Sequence, residues 1–277
     1  MLEQSYNTRE VVERFLQGLT TGTSAQIEQN IHHLEGALEK LIPGFARLKG
    51  CEQALSHHAE GDVLVHTAKV FAQAVRLGAG MSRSDNYAFI VSALLHDIEK
   101  PSTRADVDGK ITFHGHAERA AARSSEFAKV FHMTSAEELM LDFLIRHHMA
   151  AHEMPSFGEK ARLELYKSPH FSALALLQEA DARSAWRKAD GSEHCEVLAD
   201  FFASDRVSLL DKESAAALEK LLYSSARDTL KELGVKPGPY FGEMRMALKD
   251  AVAQGALVTR ANAVTWAQGY YAAHPPV

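Results

Sequence analysis

Cysteine is nearly absent: Cys51 and Cys195 are the only two in 277 residues. Two thiols so far apart build neither a zinc ribbon nor a disulfide framework, so a reducing compartment is expected. No apolar run approaches the roughly 20 residues that span a bilayer. The opening Met-Leu-Glu-Gln-Ser-Tyr lacks the basic and apolar blocks of a secretion signal. Together these absences point to a cytoplasmic protein without a membrane partner. Basic excess is missing too: 30 Lys and Arg against 36 Asp and Glu leave a net charge of −6. That balance weighs against nucleic acid held across a broad basic face and leaves RNA only a local groove. The chain contains no Gly-x-x-x-x-Gly-Lys-Ser/Thr loop, no Gly-x-Gly-x-x-Gly turn, no Gly-x-Ser-x-Gly elbow and no His-Glu-x-x-His helix. Nucleotide loops, dinucleotide folds, serine-hydrolase elbows and zincin helices are therefore set aside.

Histidine, by contrast, is abundant. There are 15 in all, and ten of them fall between His57 and His152, about a third of the chain. Neutral imidazole is the commonest metal ligand, and a helical metal site leaves such clustering behind.

Periodicity is helical nearly everywhere, which predicts an all-α fold. Val63, Leu64, Ala68, Val70, Phe71, Ala74, Val75 and Leu77 recur at three- and four-residue steps, with Asp62 as the expected cap and Gly78 as the stop. A second helix begins at Ser84 or Asp85 and runs through Ile98, and Pro101 forbids its continuation. Ala105–Phe113 contains the turn pair Asp108-Gly109 and reads as a loop or small hairpin. Further helices are expected at about 115–131, 135–149, 169–187, 194–203, 211–233, 239–254 and 260–273, preceded by two at about 7–18 and 24–41. Ser135 with Glu138 has the form of a capping box. Pro155–Gly158 and Gly234–Pro239 are the clearest breaks.

Five separated pieces offer metal ligands: His66, the pair His96-Asp97, His116, the pair His147-His148, and Asp181. Helices of a bundle can aim such groups at one point. Neighbouring helical residues project about 100° apart, so His96 and Asp97 can flank one ion while the second oxygen of Asp97 bridges to another. A lone histidine on an apolar helix is more often a hydrogen-bonded core residue. A carboxylate after an apolar run is harder to place without a cation, because its burial costs several kcal/mol unless paired. Asp97 follows Val91-Ser92-Ala93-Leu94-Leu95-His96, and Asp181 ends Ala173-Leu174-Ala175-Leu176-Leu177-Gln178-Glu179-Ala180. Two such carboxylates with several histidines point to metal binding, and nitrogen plus carboxylate ligation suits one or two divalent ions of Mn, Ni, Co, Zn or Fe.

The order His…His-Asp…His…His…Asp resembles the HD-domain superfamily of metal-dependent phosphohydrolases. Three stretches are similar to the HD-containing body of bacterial tRNA nucleotidyltransferases and poly(A) polymerases: His57 to Thr67, Leu95 to Arg104, and Phe113 to Glu118. A fourth, Gly234 to Gly242, is similar to the C-terminal body of those enzymes. The resemblance implies an HD helical bundle with additional N- and C-terminal helices, divided as 1–50, 51–190 and 191–277. It implies metal ligation by His66, His96, Asp97, His116, His147 and Asp181, with His148 the alternative to His147 and His114 to His116. His57 and His58 match the motif but precede the helix, so they are expected beside the ligands or at the surface. His32, His33, His132, His152, His170, His194 and His274 are expected in surface or packing roles.

Two departures stand out. The polymerases carry a Gly-Ser turn and an Asp-x-Asp strand that holds magnesium. Asp106-Val107-Asp108 has the letters without that setting, so nucleotide addition is not the expected activity. Glu99 replaces the glycine of the family's His-Asp-x-Gly-Lys run.

The resemblance implies hydrolysis of a small phosphorylated substrate, a phosphomonoester or phosphodiester of nucleotide-like kind. Metal binding lowers the pKa of water from about 16 toward about 7 and so supplies hydroxide at neutral pH. Asp97 and Lys100 are the expected catalytic groups. Lys100, Arg104 and more weakly Arg183 are expected on the phosphate. Two other readings use the same residues: a di-iron oxygenase of the same superfamily, or a non-catalytic RNA- or protein-binding module with a structural metal.

Overall fold

Apolar residues spaced for one helical face produce helices throughout the computed structural model, which describes residues 9–54, 58–185, 192–236, 238–254 and 256–275. The elements run α1 (Arg9–Leu19), α2 (Ser24–His33), α3 (Glu35–Leu41), α4 (Val63–Leu77), α5 (Arg83–Leu95), α6 (Lys100–Thr103), β1 (Ala105–Val107), β2 (Lys110–Thr112), α7 (His116–Ala121), α8 (Ser124–Val130), α9 (Ser135–Glu153), α10 (Glu159–Lys167), α11 (Phe171–Ser184), α12 (Ser192–Glu232), α13 (Pro239–Ala253) and α14 (Arg260–Ala273). The fold is all-α, as expected. β1 and β2 form an antiparallel hairpin with Val107 opposite Lys110. Its two-residue turn has Asp108 at φ 53° and Gly109 at φ 74°, the positive-φ pair that matches strand twist. No helix among the described residues is long and apolar enough to cross a membrane.

The chain divides into two compact units, 1–203 and 204–277. In the first, α4 packs against α2, α5 and α11, and α9 packs against α5, α7 and α11. Their shared faces bury Phe71, Phe89, Leu94, Leu141, Leu144 and Leu174 at 0 % exposure. Burial of each such side chain is worth roughly 1.5–3 kcal/mol, and this core sets the helix register around the histidines. The second unit has its own core of Leu222, Ala226 and Leu230 from α12 with Met244 and Leu248 from α13 and Ala263 and Ala267 from α14.

Several boundaries differ from the periodicity. The expected capping box at Ser135 and Glu138 lies one residue earlier: Thr134 accepts from the Glu137 amide, and the Glu137 side chain accepts from the Thr134 amide. Ser82, not Ser84 or Asp85, caps α5 by accepting from the Asp85 amide. The helices expected at 24–41 and 115–131 are each broken in two, and those expected at 194–203 and 211–233 are one helix, since no proline or glycine interrupts the polar stretch between them. α10 was not expected from the sequence.

α5 stops at Leu95, ahead of Pro101. Its chain tightens into three-residue bonds, Ile98 N to Leu95 O at 3.1 Å and Lys100 N to Asp97 O at 3.0 Å. A tightened last turn of this kind satisfies carbonyls that a proline leaves without a helical continuation. The same turn carries His96 and Asp97.

Candidate metal centre

Four helices and one turn deliver the polar groups. His66 sits on α4, His96 and Asp97 on the turn after α5, His116 at the start of α7, His148 on α9 and Asp181 on α11. His66, His96, Asp97, His116 and His148 are all at most 5 % exposed. Gly115, at φ 77°, lets the chain swing out of the hairpin into α7, a turn that any other residue would strain.

Asp97 is the midpoint. Its Oδ2 lies 3.2 Å from His96 Nε2 and 3.7 Å from His66 Nε2. Its Oδ1 lies 3.2 Å from His116 Nε2 and 3.7 Å from His148 Nε2. Asp181 Oδ1 meets His66 Nε2 at 3.0 Å. Among the described residues three groups of candidate ligands have ligand atoms within 4.8 Å of one another: His66-His96-Asp181 and Asp97-His116-His148 at the centre, and His58-Glu60-His66 behind the first.

The other nitrogen of each ring is already committed. His96 Nδ1 donates to the Ala93 carbonyl at 2.9 Å, His116 Nδ1 to Phe113 at 2.8 Å and His148 Nδ1 to Ile145 at 2.7 Å. His66 Nδ1 donates to Glu60 Oε1 at 2.9 Å, and Glu60 also accepts from His58 Nδ1 at 2.8 Å. A neutral imidazole has one proton, so with Nδ1 donating, the Nε2 atoms of His96, His116 and His148 face the centre as bare acceptors. His116 Nε2 and His148 Nε2 stand 3.0 Å apart, and lone pairs facing each other at that distance repel. His96 Nε2 is buried without a hydrogen-bond partner, Asp97 Oδ2 has the Lys100 ammonium at 2.7 Å, and His66 Nε2 has Asp181 Oδ1. Such a set of converging acceptors, each fixed by a bond behind it, is what a cation satisfies. The residues fit a divalent metal.

Electrostatics agree. Burial pushes His148 down to about 4, so it stays neutral and able to ligate at neutral pH. Burial opposes charge on Asp97 as well, yet His96 and Lys100 hold its carboxyl well below the usual carboxylate range. Asp181 is likewise held low against its burial by His152 and His66. Burial opposes protonation of His66, but Asp181 and Glu60 outweigh it and raise the ring to about 9. Without a metal, a proton takes the cation's place there.

Most expected residues meet here; some do not. His147 is corrected to His148. One residue is a 100° rotation on a helix, and His147 turns to Phe143 at 4.7 Å between ring centroids. His116, not His114, faces Asp97, and His114 lines the cleft outside. Lys100 is 6 % exposed rather than solvated, with Nζ 2.7 Å from Asp97 Oδ2 and donating to Gln53 Oε1 at 2.8 Å. Arg104 does not reach the site. It is exposed and faces Glu52 at 3.4 Å, because the chain leaves the centre along β1. Arg183 pairs with Glu179 at 2.8 Å. His152 is not a surface residue by role: its Nε2 donates to Asp181 Oδ2 at 2.8 Å. Glu60, Gln53 and His152 were all missed by sequence reasoning. His57, Trp186 and the side chains of His194 and Cys195 lie outside the described residues.

The centre opens into a cleft of about 1180 Å³. Asp97, Lys100, His116, His148 and Asp181 form its floor, and Ile111, Phe113, Met149 and Phe157 supply an apolar wall.

A helical bundle that gathers His, His-Asp, His, His and Asp from five places around one carboxylate has the donor pattern of an HD-type metal centre. Residues 63–186 match the HD domain family, so that part of the chain is an HD domain. Over 242 residues, 84 % of this chain and 52 % of the relative, it is 28 % identical to the A-adding tRNA nucleotidyltransferase of Deinococcus radiodurans. It is 30 % identical over 156 residues to the Multifunctional CCA protein of Polaromonas naphthalenivorans, covering 53 % of this chain and 35 % of that one. To the Multifunctional CCA protein of Thioalkalivibrio sulfidiphilus it is 32 % identical over 155 residues, 53 % of this chain and 36 % of the relative. The chain thus spans about half the length of the first relative and about a third of the other two.

Proposed function

We propose that this chain is a metal-dependent phosphohydrolase, a phosphomonoesterase or phosphodiesterase that takes a nucleotide-like or other small phosphate ester into the cleft. One observation carries the reading: the two oxygens of Asp97, which lines that cleft, each face a separate set of imidazole nitrogens. His66, His96, Asp97 and Asp181 would hold one divalent cation, and Asp97, His116 and His148 a second. Bound there, such cations supply Lewis-acid charge and a water acidic enough to be hydroxide at neutral pH.

The chain's own groups do the rest. Carbonyls behind His96, His116 and His148 and the carboxylate behind His66 hold the rings in one tautomer and orientation. Lys100 keeps an ammonium fixed on the cleft floor beside Asp97, where it supports binding of an anionic phosphoryl group. Phe113, Phe157, Met149 and Ile111 exclude water from one wall, which strengthens every charge interaction inside. The net charge of −6 favours a small ester over a long polyanion.

The test strips the purified chain with chelator, reloads it with Mn, Co, Ni, Zn or Fe, and assays generic phosphate esters, cyclic nucleotides and tRNA. Turnover that depends on metal and disappears in Asp97→Ala is expected. No turnover above that variant with any metal overturns the hydrolase. Iron-dependent oxygen uptake without phosphate release would move the same donor set to oxygenase chemistry. Salt-sensitive tRNA binding that ignores ligand substitutions would make it a binding module.

A further inference from the structure

Glu99 occupies the position between the metal turn and Lys100. Its backbone, φ −97° and ψ 3°, is open to any residue, so nothing local demands or forbids its side chain. That side chain is buried, at 8 % exposure, and its ionic partners come from one direction. Arg123 Nη1 bonds Oε1 at 2.8 Å, and Arg119 Nε lies 3.3 Å from Oε2. The Ser102 hydroxyl closes on Oε2. Arg119 lies on α7, whose first residue is His116, and Arg123 follows that helix, two turns beyond His116. Arg123 is itself fixed by Glu126 at 2.8 Å, by the Pro43 carbonyl at 3.2 Å, and by its place over the Phe127 ring at 4.7 Å.

The clamp is asymmetric. It ties the Asp97 turn to the segment that carries His116, and none of these bonds reaches α4 or α11, which carry His66 and Asp181. We propose that Glu99 is a positioning residue for the second cation site: by locking α7 to the metal turn through Arg123 and Arg119, it holds His116 Nε2 against Asp97 Oδ1. The proposal rests on the two-cation reading of the same centre.

The experiment titrates the metal-free full chain with Co²⁺, following visible absorption and bound metal after equilibrium dialysis. The native chain is expected to take up two equivalents. Glu99→Gln is expected to keep the first affinity within about twofold and to weaken the second roughly 10–100-fold, the usual cost of losing a group that orients a ligand. Arg123→Ala removes the clamp from the other side and should give the same selective loss. The double variant should be no worse than either single one, since both cut one link, and Arg123→Lys should recover part of the second affinity. An unchanged second affinity in Glu99→Gln overturns the proposal. Equal weakening of both cations overturns it as well, because that reports general loosening. A native chain that binds one equivalent removes the two-cation reading and this proposal with it, and that failure shows before any variant is made. If Glu99→Gln does not fold, Arg123→Ala and Glu99→Gly carry the same measurement.

Discussion

Lys100→Met separates an electrostatic role for this lysine from a purely substrate-binding one. Lys100 Nζ is 2.7 Å from Asp97 Oδ2, and both groups are buried. Removing one partner of such a pair leaves the other charge uncompensated and costs about 3–5 kcal/mol. For a unit of this size each kcal/mol moves the melting temperature by about 2–4 °C, so the metal-free variant should melt roughly 6–20 °C lower. Cations bound on either side of Asp97 would neutralise the same carboxylate, so with saturating metal the loss should shrink below about 2 kcal/mol. Linkage then requires that the variant bind its cations at least about fivefold more tightly in total than the native chain, since 1.4 kcal/mol is one decade. The assay is calorimetric melting with and without Mn²⁺ or Co²⁺, paired with a metal titration. Equal destabilisation in both states would refute the argument, as would a metal-free melting temperature that does not move. An unmoved metal-free melting temperature would mean that Lys100 contributes nothing to keeping Asp97 charged in the core, and equal destabilisation would mean that bound cations do not take over its role.

Other expectations are as direct. His148→Ala should lose one metal equivalent and most metal-dependent turnover, while His147→Ala should keep both, as read by bound metal and phosphate release. His152→Phe removes the donor to Asp181 Oδ2 and should weaken cation uptake roughly 10–100-fold, with partial rescue in His152→Gln, followed by equilibrium dialysis. Glu137 is buried, and Arg9 and the Thr134 amide lower it from 4.5 to about 2 against its own burial. A depressed carboxyl contributes stability above its unfolded value and loses it as pH falls through the folded one. Native stability should therefore decline between pH 4.5 and about 2. Glu137→Gln should flatten that slope and cost roughly 1–3 kcal/mol at pH 7 in denaturant melts, less than the full shift because Arg9 is partly exposed.

Much of the architecture was legible because helix period and apolar stripe agree. Asp62 caps α4 by accepting from the Val65 amide at 3.0 Å, the hairpin turns at Asp108-Gly109, and the metal turn falls between the end of α5 and Pro101. α10 escaped because its segment, Glu159-Lys160-Ala161-Arg162-Leu163-Glu164-Leu165-Tyr166-Lys167, has too few apolar residues to show a period. Its register comes from Leu165 and Tyr166 packing inward, a tertiary cause. Glu60 and Gln53 lie in the non-helical stretch ahead of α4, so no periodicity could point them at His66 or Lys100. Arg104 was placed on the phosphate by nearness in sequence to Lys100, but the direction of β1 carries it away.

The choice between His147 and His148 was legible after all. The buried residues of α9 include Glu137, Leu141, Leu144, His148 and Ala151, a stripe stepping by three and four. His148 continues it four residues past Leu144, whereas His147 follows Phe143 on the neighbouring line. His152, four residues past His148, lies on the same side and reaches Asp181. Asp181 falls in the same way on its own helix, four past Leu177 and seven past Leu174, both fully buried. The candidate ligands are therefore positions of the apolar stripes themselves, with polar groups in place of leucines. Closing the bundle over its core is what strips water from their ring nitrogens, so the burial that stabilises the unit also creates the demand for a cation.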